Sequence, residues 1–398
     1  MSDRPPRRQI SHQGAESHRR SWKRLAFGLA LCLAVLACSV TGAPPTATAA
    51  PTVTASPVPP TSASAPPTPT PLPPSPTPLP AVIQASSIER LAPSLSFAHG
   101  ELVRSLAFSP DGTTLAAAVG DQAGTIQLYE AATGQPLGTL QGHESIVWGL
   151  AFSPDGRFLA SAARDHTAKV WDWRAGSLVR SLDFPNEVTS VAFSPDSQIF
   201  AVGGVKEWPN AAIWMYQVDT WQPLLTLAEF WNIPAIAFSP DGTRVVGGGT
   251  SRNVRVWRTS DGDGLSTLYH SGQVSSLAIS PDGSTVATGL CQTSANNECA
   301  VGAVWMWNLS TGRLIRKLAD FPTIVEGVAF SPDGSLVVAV SRDGTLRAYD
   351  ASGGRPLLAV AVPVAAEPVS VDALAFSADG RFIATGGAWR IDLWTVSP

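Results

Sequence analysis

Three residues of this chain carry the side chains of a nucleophilic catalyst. His143, Ser161 and Asp165 would supply a base, a hydroxyl nucleophile and an orienting carboxylate, the set that catalyses acyl transfer in hydrolases. They lie close together in sequence, so one small structural unit must position them. The interpretation of the three residues therefore depends on the unit that carries them.

A short phrase that recurs along the chain defines this unit. Ala-Phe-Ser-Pro-Asp-Gly, or a close variant, places its aromatic or aliphatic residue at Phe108, Phe152, Phe193, Phe238, Ile279, Phe330 and Phe376. The intervals are 44, 41, 45, 41, 51 and 46 residues. A period in the forties with four short β-rich runs is typical of a propeller blade. Seven copies predict an all-β, seven-bladed β-propeller with four-stranded antiparallel blades.

The second repeat shows how the strands follow one another. An apolar inner strand at 146–152 leads into a tight turn at 153–156, where Gly156 supplies a positive φ. Further strands are predicted at 157–162, 167–173 and 177–182. The last repeat stops after its third strand, 390–396, while 87–95 has the pattern of a fourth strand. We predict that this N-terminal strand completes blade seven, which closes the ring and protects both sheet edges.

The repeats resemble the WD-repeat family, in which a His, a Ser or Thr, an Asp and a Trp form hydrogen bonds across each blade. Blade two has all four, at His143, Ser161, Asp165 and Trp171. Other blades match in part, through His99, His270, Thr288, Asp343, Thr385, Trp257, Trp307 and Trp394, with Tyr129 and Tyr349 replacing the Trp. The resemblance implies a structural network at His143, Ser161 and Asp165, so we predict no catalytic residues and no enzymatic activity.

Neither the repeated carboxylates nor the cysteines predict a metal site. Each Ser-Pro-Asp-Gly copy is separated from the next by a blade width, which favours turn chemistry over ligand binding. Cys291 and Cys299 flank an insertion in blade five. Outside the cytosol such a pair is most simply a disulfide, and zinc needs more ligands than this segment offers. We therefore predict a Cys291–Cys299 disulfide, no metal and no cofactor.

The N-terminal region has the composition of an export signal followed by a linker. A basic cluster at 19–24 precedes an apolar run at 25–37, which is too short to span a bilayer and suits a signal-peptide core. Of the 34 prolines, 15 lie between Pro44 and Pro80. Such a segment favours extended polyproline II and cannot bury a core. We predict a signal peptide at 1–37, a flexible Pro/Thr/Ser/Ala-rich tether at 38–83 and the propeller at 84–398.

The end of the apolar run, Val35-Leu36-Ala37-Cys38, resembles a bacterial lipoprotein signal. The resemblance implies cleavage before Cys38, lipidation of its sulfur and attachment to the extracytoplasmic face of the cell membrane. An uncleaved anchor or an ordinary secretory signal are the alternatives. Arg19 and Arg20 leave twin-arginine export open, although the Sec route is favoured.

Tryptophans outside the strand core suggest a binding face. Trp148 takes an inner-strand position where the other blades have Arg104, Thr189, Pro234, Ser275, Glu326 and Asp372. Trp208 lies in an insertion between strands two and three of blade three, and Phe230 and Trp231 lie in the connection to blade four. These loops and the blade-five cysteines are expected on one face of the propeller. Aromatic side chains exposed there would contact a protein or peptide, whereas packing under their own loops is the alternative.

Charge and composition narrow the partners. Without its first 24 residues the chain has 20 basic and 29 acidic residues, a net −9, which disfavours nucleic acid. We predict a monomeric, non-catalytic scaffold for a protein or peptide partner, with Arg104, Trp148, Trp208, Phe230, Trp231, Glu326 and Asp372 as candidate contacts. The alternative is a small-ligand or carbohydrate receptor that uses the same face. A scaffold should expose a broad apolar patch there, and a receptor should form a pocket with inward polar groups.

Overall fold

The structure, a computed structural model, describes residues 80–98, 100–120, 124–207, 210–230, 232–295, 298–318, 321–362 and 370–396. Within these ranges the strands form seven four-stranded sheets, each a meander of antiparallel neighbours. Each inner strand contacts the inner strands of two adjacent sheets, and the contact between the first and last inner strands completes a ring. The predicted all-β, seven-bladed propeller is confirmed.

The strands of blades one to four follow the meander in chain order. One strand, β1 (Leu91–Ala98), precedes them and belongs to blade seven. Blade one contains β2 (Val103–Phe108), β3 (Thr114–Val119), β4 (Thr125–Glu130) and β5 (Pro136–Gln141), and blade two contains β6 (Val147–Phe152), β7 (Leu159–Ala163), β8 (Thr167–Asp172) and β9 (Ser177–Asp183). Blade three contains β10 (Val188–Phe193), β11 (Ile199–Glu207), β12 (Asn210–Gln217) and β13 (Pro223–Phe230), and blade four contains β14 (Ala235–Phe238), β15 (Arg244–Gly248), β16 (Asn253–Arg258) and β17 (Gly264–Tyr269).

Blades five to seven repeat this order. Blade five contains β18 (Val274–Ile279), β19 (Thr285–Ala295), β20 (Glu298–Asn308) and β21 (Leu314–Lys317), and blade six contains β22 (Val325–Phe330), β23 (Leu336–Ser341), β24 (Thr345–Asp350) and β25 (Pro356–Ala361). Blade seven contains β26 (Val371–Phe376), β27 (Ile383–Gly387), β28 (Arg390–Val396) and β1. A meander places the connections between first and second strands and between third and fourth strands at one end of the ring, here called the turn face. The remaining connections form the opposite end, here called the loop face.

The core consists of apolar layers between neighbouring blades. Second strands are buried over most of their length because a blade packs on each side of them, and β3 (Thr-Leu-Ala-Ala-Ala-Val) is buried throughout. Small alanines let the sheets approach closely, and larger residues fill the wider outer part. Between blades one and two, Ala116 and Ala118 pack with Leu159, Trp171 and Trp173. Such burial is the main driving force that holds the ring together.

The Ser-Pro-Asp-Gly phrase forms the tight turn between the first two strands of a blade. In blade one, Ser109 Oγ donates to Asp111 Oδ1 over 2.6 Å and accepts from the amide of Thr114 over 3.0 Å. Gly112 has a φ of 71°. In blade three Ser197 takes this place with a φ of 59°. The carboxylate is used within its own turn, as turn chemistry requires.

The N-terminal strand closes blade seven. β1 pairs antiparallel with β28, from Leu91 opposite Val396 to Ala98 opposite Arg390. The strand begins a few residues later than the predicted 87–95, because 88–90 form a short 3₁₀ turn. The closure predicted from the missing fourth strand is confirmed.

The chain joins the propeller on the turn face. Ala81 bridges to Val396, at the end of β28 that lies on this face. The amide of Ile83 donates to the carbonyl of Gly380 over 2.7 Å, and Gly380 belongs to the tight turn of blade seven. Ile83 is fully buried, so the segment before β1 is packed against the ring.

Candidate functional site

The four network residues of blade two lie within hydrogen-bonding distance of one another. Nδ1 of His143 lies 2.7 Å from Asp165 Oδ2, and its Nε2 lies 2.7 Å from Ser161 Oγ. Trp171 Nε1 donates to the same hydroxyl oxygen over 2.9 Å. Burial opposes the charge on Asp165, but hydrogen bonds from His143 and Thr167 outweigh it and hold the pKa of Asp165 well below its usual value.

This arrangement has the connectivity of a triad but no access for a substrate. Ser161 is 0% exposed and His143 is 6% exposed. The hydroxyl is also held by the indole of Trp171, which is itself buried. An attacking oxygen must approach a carbonyl carbon, and these neighbours fill the space around it. The network therefore ties β7, β8 and the loop before β6 together.

Blade five contains a variant of the network with a buried, neutral histidine. Nε2 of His270 accepts from Trp307 Nε1 over 3.1 Å and lies 2.9 Å from Thr288 Oγ1. Its Nδ1 lies 3.0 Å from the carbonyl oxygen of Leu268. Because a nitrogen that accepts carries no proton, we assign the proton to Nδ1. Burial lowers the pKa of His270 to about 4, against the opposing effect of the bond to Leu268.

Six of the seven inner strands have a register irregularity at their second residue. The pairing skips one residue between the first and third positions of β2, β6, β10, β18, β22 and β26. The skipped residues are Arg104, Trp148, Thr189, Ser275, Glu326 and Asp372. A bulge of this kind redirects a side chain, here towards the centre of the ring. In blade four Pro234, just before β14, takes the same place.

These seven residues line one open hollow at the loop-face end of the central channel. The central hollow has a volume of about 470 Å³, and residues of all seven blades line it. Glu187, Asn232 and Arg342 add polar groups from the loops to its lining. The sequence pattern identified the inner-strand positions but missed these three, because they lie in loops where the repeat has no fixed spacing.

Two ion pairs occupy the side of the central hollow formed by blades six, seven and one. Arg104 Nη1 lies 3.1 Å from Asp372 Oδ2, and the Arg342 guanidinium donates to Glu326. The guanidinium carbon of Arg104 also lies 5.5 Å from the centroid of the Trp148 ring. Burial raises the pKa of Glu326, and Asp372 raises it further, while Arg342 lowers it. The inner-strand residues of the opposite side, Thr189, Pro234 and Ser275, are uncharged, and Glu187 beside them lies 3.9 Å from Arg164.

A second depression, here called the side groove, adjoins the central hollow. It has a volume of about 570 Å³ and is lined by Arg164, His166, Asn186, Glu187, Val205, Asn232, Thr250 and Gln273. Glu187 and Asn232 line both spaces. The side groove therefore extends the central hollow outwards, with lining residues from blade two to the start of blade five.

The aromatic residues predicted for this face have different outcomes. Trp148 lies in the central hollow and is partly buried. Trp208 and Trp231 lie outside the described residues, as do His99 and the lipidation candidate Cys38, and Phe230 ends β13. The large apolar side chains exposed on the described part of the loop face are Tyr269 and Trp389, on blades four and seven. The described part of this face is thus a hollow with both polar and apolar lining and has no broad apolar patch.

Blade five carries a long hairpin on the same face. β19 and β20 extend beyond the other second and third strands, and Cys291 and Cys299 are joined there as a disulfide with their Cα atoms 5.6 Å apart. Trp305 Nε1 donates to Gln292 over 3.4 Å beside the bridge. The disulfide holds β19 and β20 together below the tip of the hairpin.

The described residues offer neither a cluster of metal ligands nor a membrane-spanning helix. No group of three or more His, Cys, Asp or Glu side chains in these ranges is arranged to hold a metal ion. The same part of the chain contains no helix with the length and apolar character needed to cross a membrane.

Comparison with known proteins agrees with the repeat pattern. The family described as WD domain, G-beta repeat matches residues 92–130, 134–172, 176–206, 221–258, 262–299 and 312–350. The first of these segments begins in the outer strand of blade seven and ends in the third strand of blade one, so the sequence repeat is offset from the blade by one strand. The six segments stop short of the last four strands, β25 to β28, and the structure adds the seventh blade.

Curated relatives are eukaryotic proteins. The chain is 27% identical over 300 residues to the serine-threonine kinase receptor-associated protein of Gallus gallus. This match covers 67% of the present chain and 84% of that protein. It is 33% identical over 139 residues to the eukaryotic translation initiation factor 3 subunit I of Aspergillus fumigatus, and this match covers 33% of the chain and 38% of the subunit. Because the family repeat matches more than half of the chain, and the repeats fold as propeller blades, this chain belongs to the WD-repeat family.

Proposed function

We propose that this chain is a non-catalytic interaction scaffold that binds a protein or peptide partner through the loop face. The observation that carries the proposal is the central hollow, to which every blade contributes lining residues. Propellers of this family typically bind protein partners, and the relatives' names describe a receptor-associated protein and a subunit of a translation factor. The fold alone does not identify the partner, so the chemistry of the site must indicate it.

The side chains of the site support binding rather than catalysis. A catalyst needs an accessible nucleophile or base next to a group that stabilises developing charge. The buried Ser161 and His143 lack access, and the charged groups of the central hollow are engaged in the Arg104–Asp372 and Arg342–Glu326 pairs. What remains is a shaped, polar recess in a rigid ring, which suits recognition.

We further propose that the scaffold is held outside the cytoplasmic membrane by a lipid on Cys38. The apolar run at 25–37, the sequence Val35-Leu36-Ala37-Cys38 and the proline-rich segment that follows support this location. A single thioether-linked cysteine at the start of the mature chain would leave 39–80 as a spacer. Substitution Cys38→Ser should move the protein from the membrane to the soluble fraction and abolish labelling with a fatty-acid analogue. Labelling that persists in this variant would exclude the anchor.

A small-ligand receptor is the second candidate, and one observation favours it. The described loop face offers a hollow with inward polar groups in place of the broad apolar patch expected of a protein-binding surface. Small-molecule screening by thermal shift distinguishes the two, because a ligand that fills the recess stabilises the folded state by mass action.

Cross-linked capture from native membranes tests the scaffold. The wild type is compared with Trp148→Ala, which removes the aromatic side chain of the central hollow, and with Leu137→Ala, a matched control on the outer strand of blade one where the side chain is 57% exposed. We expect one partner to be captured by the wild type and the control and lost from Trp148→Ala. Equal capture by all three proteins, each with unchanged thermal unfolding, would refute binding at the central hollow.

A further inference from the structure

The carboxylates of the central hollow are shielded from water more than the arginines that pair with them. Glu326 and Asp372 pair with Arg342 and Arg104, and Glu187 Oε2 lies 3.9 Å from Arg164 Nε of the side groove. The carboxylates of the two ion pairs are also the more buried partners. Glu326 is 14% exposed against 56% for Arg342, and Asp372 is 12% exposed against 25% for Arg104. Water screens the arginines more strongly, so the field in the hollow favours a cation.

Glu326 retains capacity to accept a hydrogen bond. Arg342 donates to Oε1, while Oε2 has no hydrogen-bond partner among the described residues. Its raised pKa reflects a carboxylate that burial disfavours and that Arg342 compensates only in part. A ligand N–H group that reaches Oε2 would supply the missing charge-assisted bond.

Trp148 offers a second, independent contact. Its indole Nε1 is buried and has no hydrogen-bond partner within the described part of the chain, although the ring lines the central hollow. A buried donor without a partner is costly, and the carbonyl oxygen of a ligand would satisfy it. The tryptophan therefore favours a ligand that has a carbonyl group in addition to its cationic group.

The side groove indicates the shape of the ligand. It leads away from the central hollow and shares Glu187 and Asn232 with it. Its lining includes the amide and hydroxyl groups of Asn186, Asn232, Thr250 and Gln273, the first three of which also make hydrogen bonds within the chain and keep capacity for another. Such groups pair with the main-chain N–H and C=O groups of an extended polypeptide, and a compact metabolite would leave the groove empty.

We infer that the loop face binds an extended, basic polypeptide segment, whose Arg or Lys side chain enters the central hollow beside Glu326 and Trp148 while its main chain lies in the side groove. This inference rests on the proposed scaffold function and specifies the chemical class of the partner.

Synthetic peptides test the inference with the full-length protein in detergent. The probes are Ac-Gly-Gly-Arg-Gly-Gly-NH₂, the same peptide with citrulline in place of Arg, and agmatine, which has the guanidinium without a main chain. Binding is measured by calorimetry and by Trp fluorescence at millimolar probe concentrations. We expect the Arg peptide to bind about tenfold more tightly than the citrulline peptide and more tightly than agmatine.

Variants separate the two contacts. Glu326→Gln keeps the shape of the side chain and should remove the preference for Arg over citrulline, whereas Trp148→Phe should weaken both peptides. Asp219→Asn, an exposed carboxylate on the turn face, is the matched control and should change neither. Thermal unfolding checks that each variant is folded.

Several results would overturn the inference. Equal binding of the Arg and citrulline peptides, no binding of either, or an unchanged preference in Glu326→Gln would exclude the cation site. Agmatine that binds as tightly as the Arg peptide would exclude the main-chain contacts and favour a small-ligand receptor. A native partner that is lost from Trp148→Ala but retained by Glu326→Gln would refute the basic segment and leave the scaffold function intact.

Discussion

Acidification should destabilise blade five through the buried imidazole of His270. The ring is neutral in the folded protein, and its Nε2 accepts a hydrogen bond from Trp307. Protonation would turn Nε2 of His270 into a hydrogen-bond donor that faces the Nε1–H group of Trp307. Burial has already lowered the pKa to about 4 from a usual value of 6.5.

The magnitude follows from this difference in pKa. In the unfolded chain His270 binds a proton near pH 6.5, whereas in the folded chain it does so near pH 4. Stability contributed by this group is therefore complete above pH 6.5 and is lost as the pH falls towards 4. At 1.36 kcal/mol per pKa unit, the loss is about 3 kcal/mol.

Chemical denaturation followed by Trp fluorescence, at a series of pH values between 7.5 and 4, measures this loss. In His270→Gln the amide oxygen takes the place of Nε2, so the variant should lose about 3 kcal/mol less than the wild type over this range. His166→Asn, at an exposed position with a φ of 67° that asparagine tolerates, is the control and should keep the wild-type slope. A wild type and His270→Gln with the same pH dependence, or an NMR titration of His270 near pH 6.5, would refute the reasoning.

Three further predictions concern stability. Ser161→Ala should lower the free energy of unfolding by about 1–3 kcal/mol, because it leaves the buried Trp171 Nε1 and His143 Nε2 without their hydroxyl partner. The exposed control Ser310→Ala should change this free energy little, and equal losses of the two variants in thermal unfolding would contradict the prediction. Replacing both Cys291 and Cys299 by Ser removes a cross-link that spans 8 positions and should lower the free energy of unfolding by about 2–3 kcal/mol. Amide hydrogen exchange should become faster in β19 and β20 alone, and unchanged exchange in these two strands would be inconsistent with the prediction. Asp392→Asn should raise the thermal midpoint at pH 7, because burial raises the pKa of this carboxyl despite the hydrogen bonds that its Oδ1 accepts from Ser96 and Arg390. The gain should vanish at acidic pH where the wild type is protonated, and a lower midpoint at pH 7 would show that the bond to Arg390 outweighs burial of the charge.

Repetition made the fold predictable from sequence. The phrase around Phe108 and its six copies encode the first strand, the tight turn and the start of the second strand, so strand order follows from spacing alone. The missing fourth strand after Val396 predicted the closure by β1. The residues of the blade-two network could also be identified from the sequence, because four residue types at fixed offsets describe it.

The candidate site was predictable only in part. Trp148, Glu326 and Asp372 were found by comparing equivalent positions, but the bulges that direct these side chains inward depend on backbone pairing, which the sequence pattern does not specify. Arg342 and Asn232 reach the central hollow from loops of unequal length. The depth of the hollow is thus a property of the assembled ring.

The point at which the chain joins the ring has a mechanical consequence. Ala81 and Val396 meet on the turn face, whereas a bound partner would lie on the loop face. Tension between the N-terminal segment and such a partner would run along blade seven, nearly parallel to β1 and β28. The hydrogen bonds between these strands would then be loaded together in shear, from Leu91 to Ala98, and would not break one after another as in a zipper. The strand pair that closes the ring is accordingly also the element best placed to bear a pulling force.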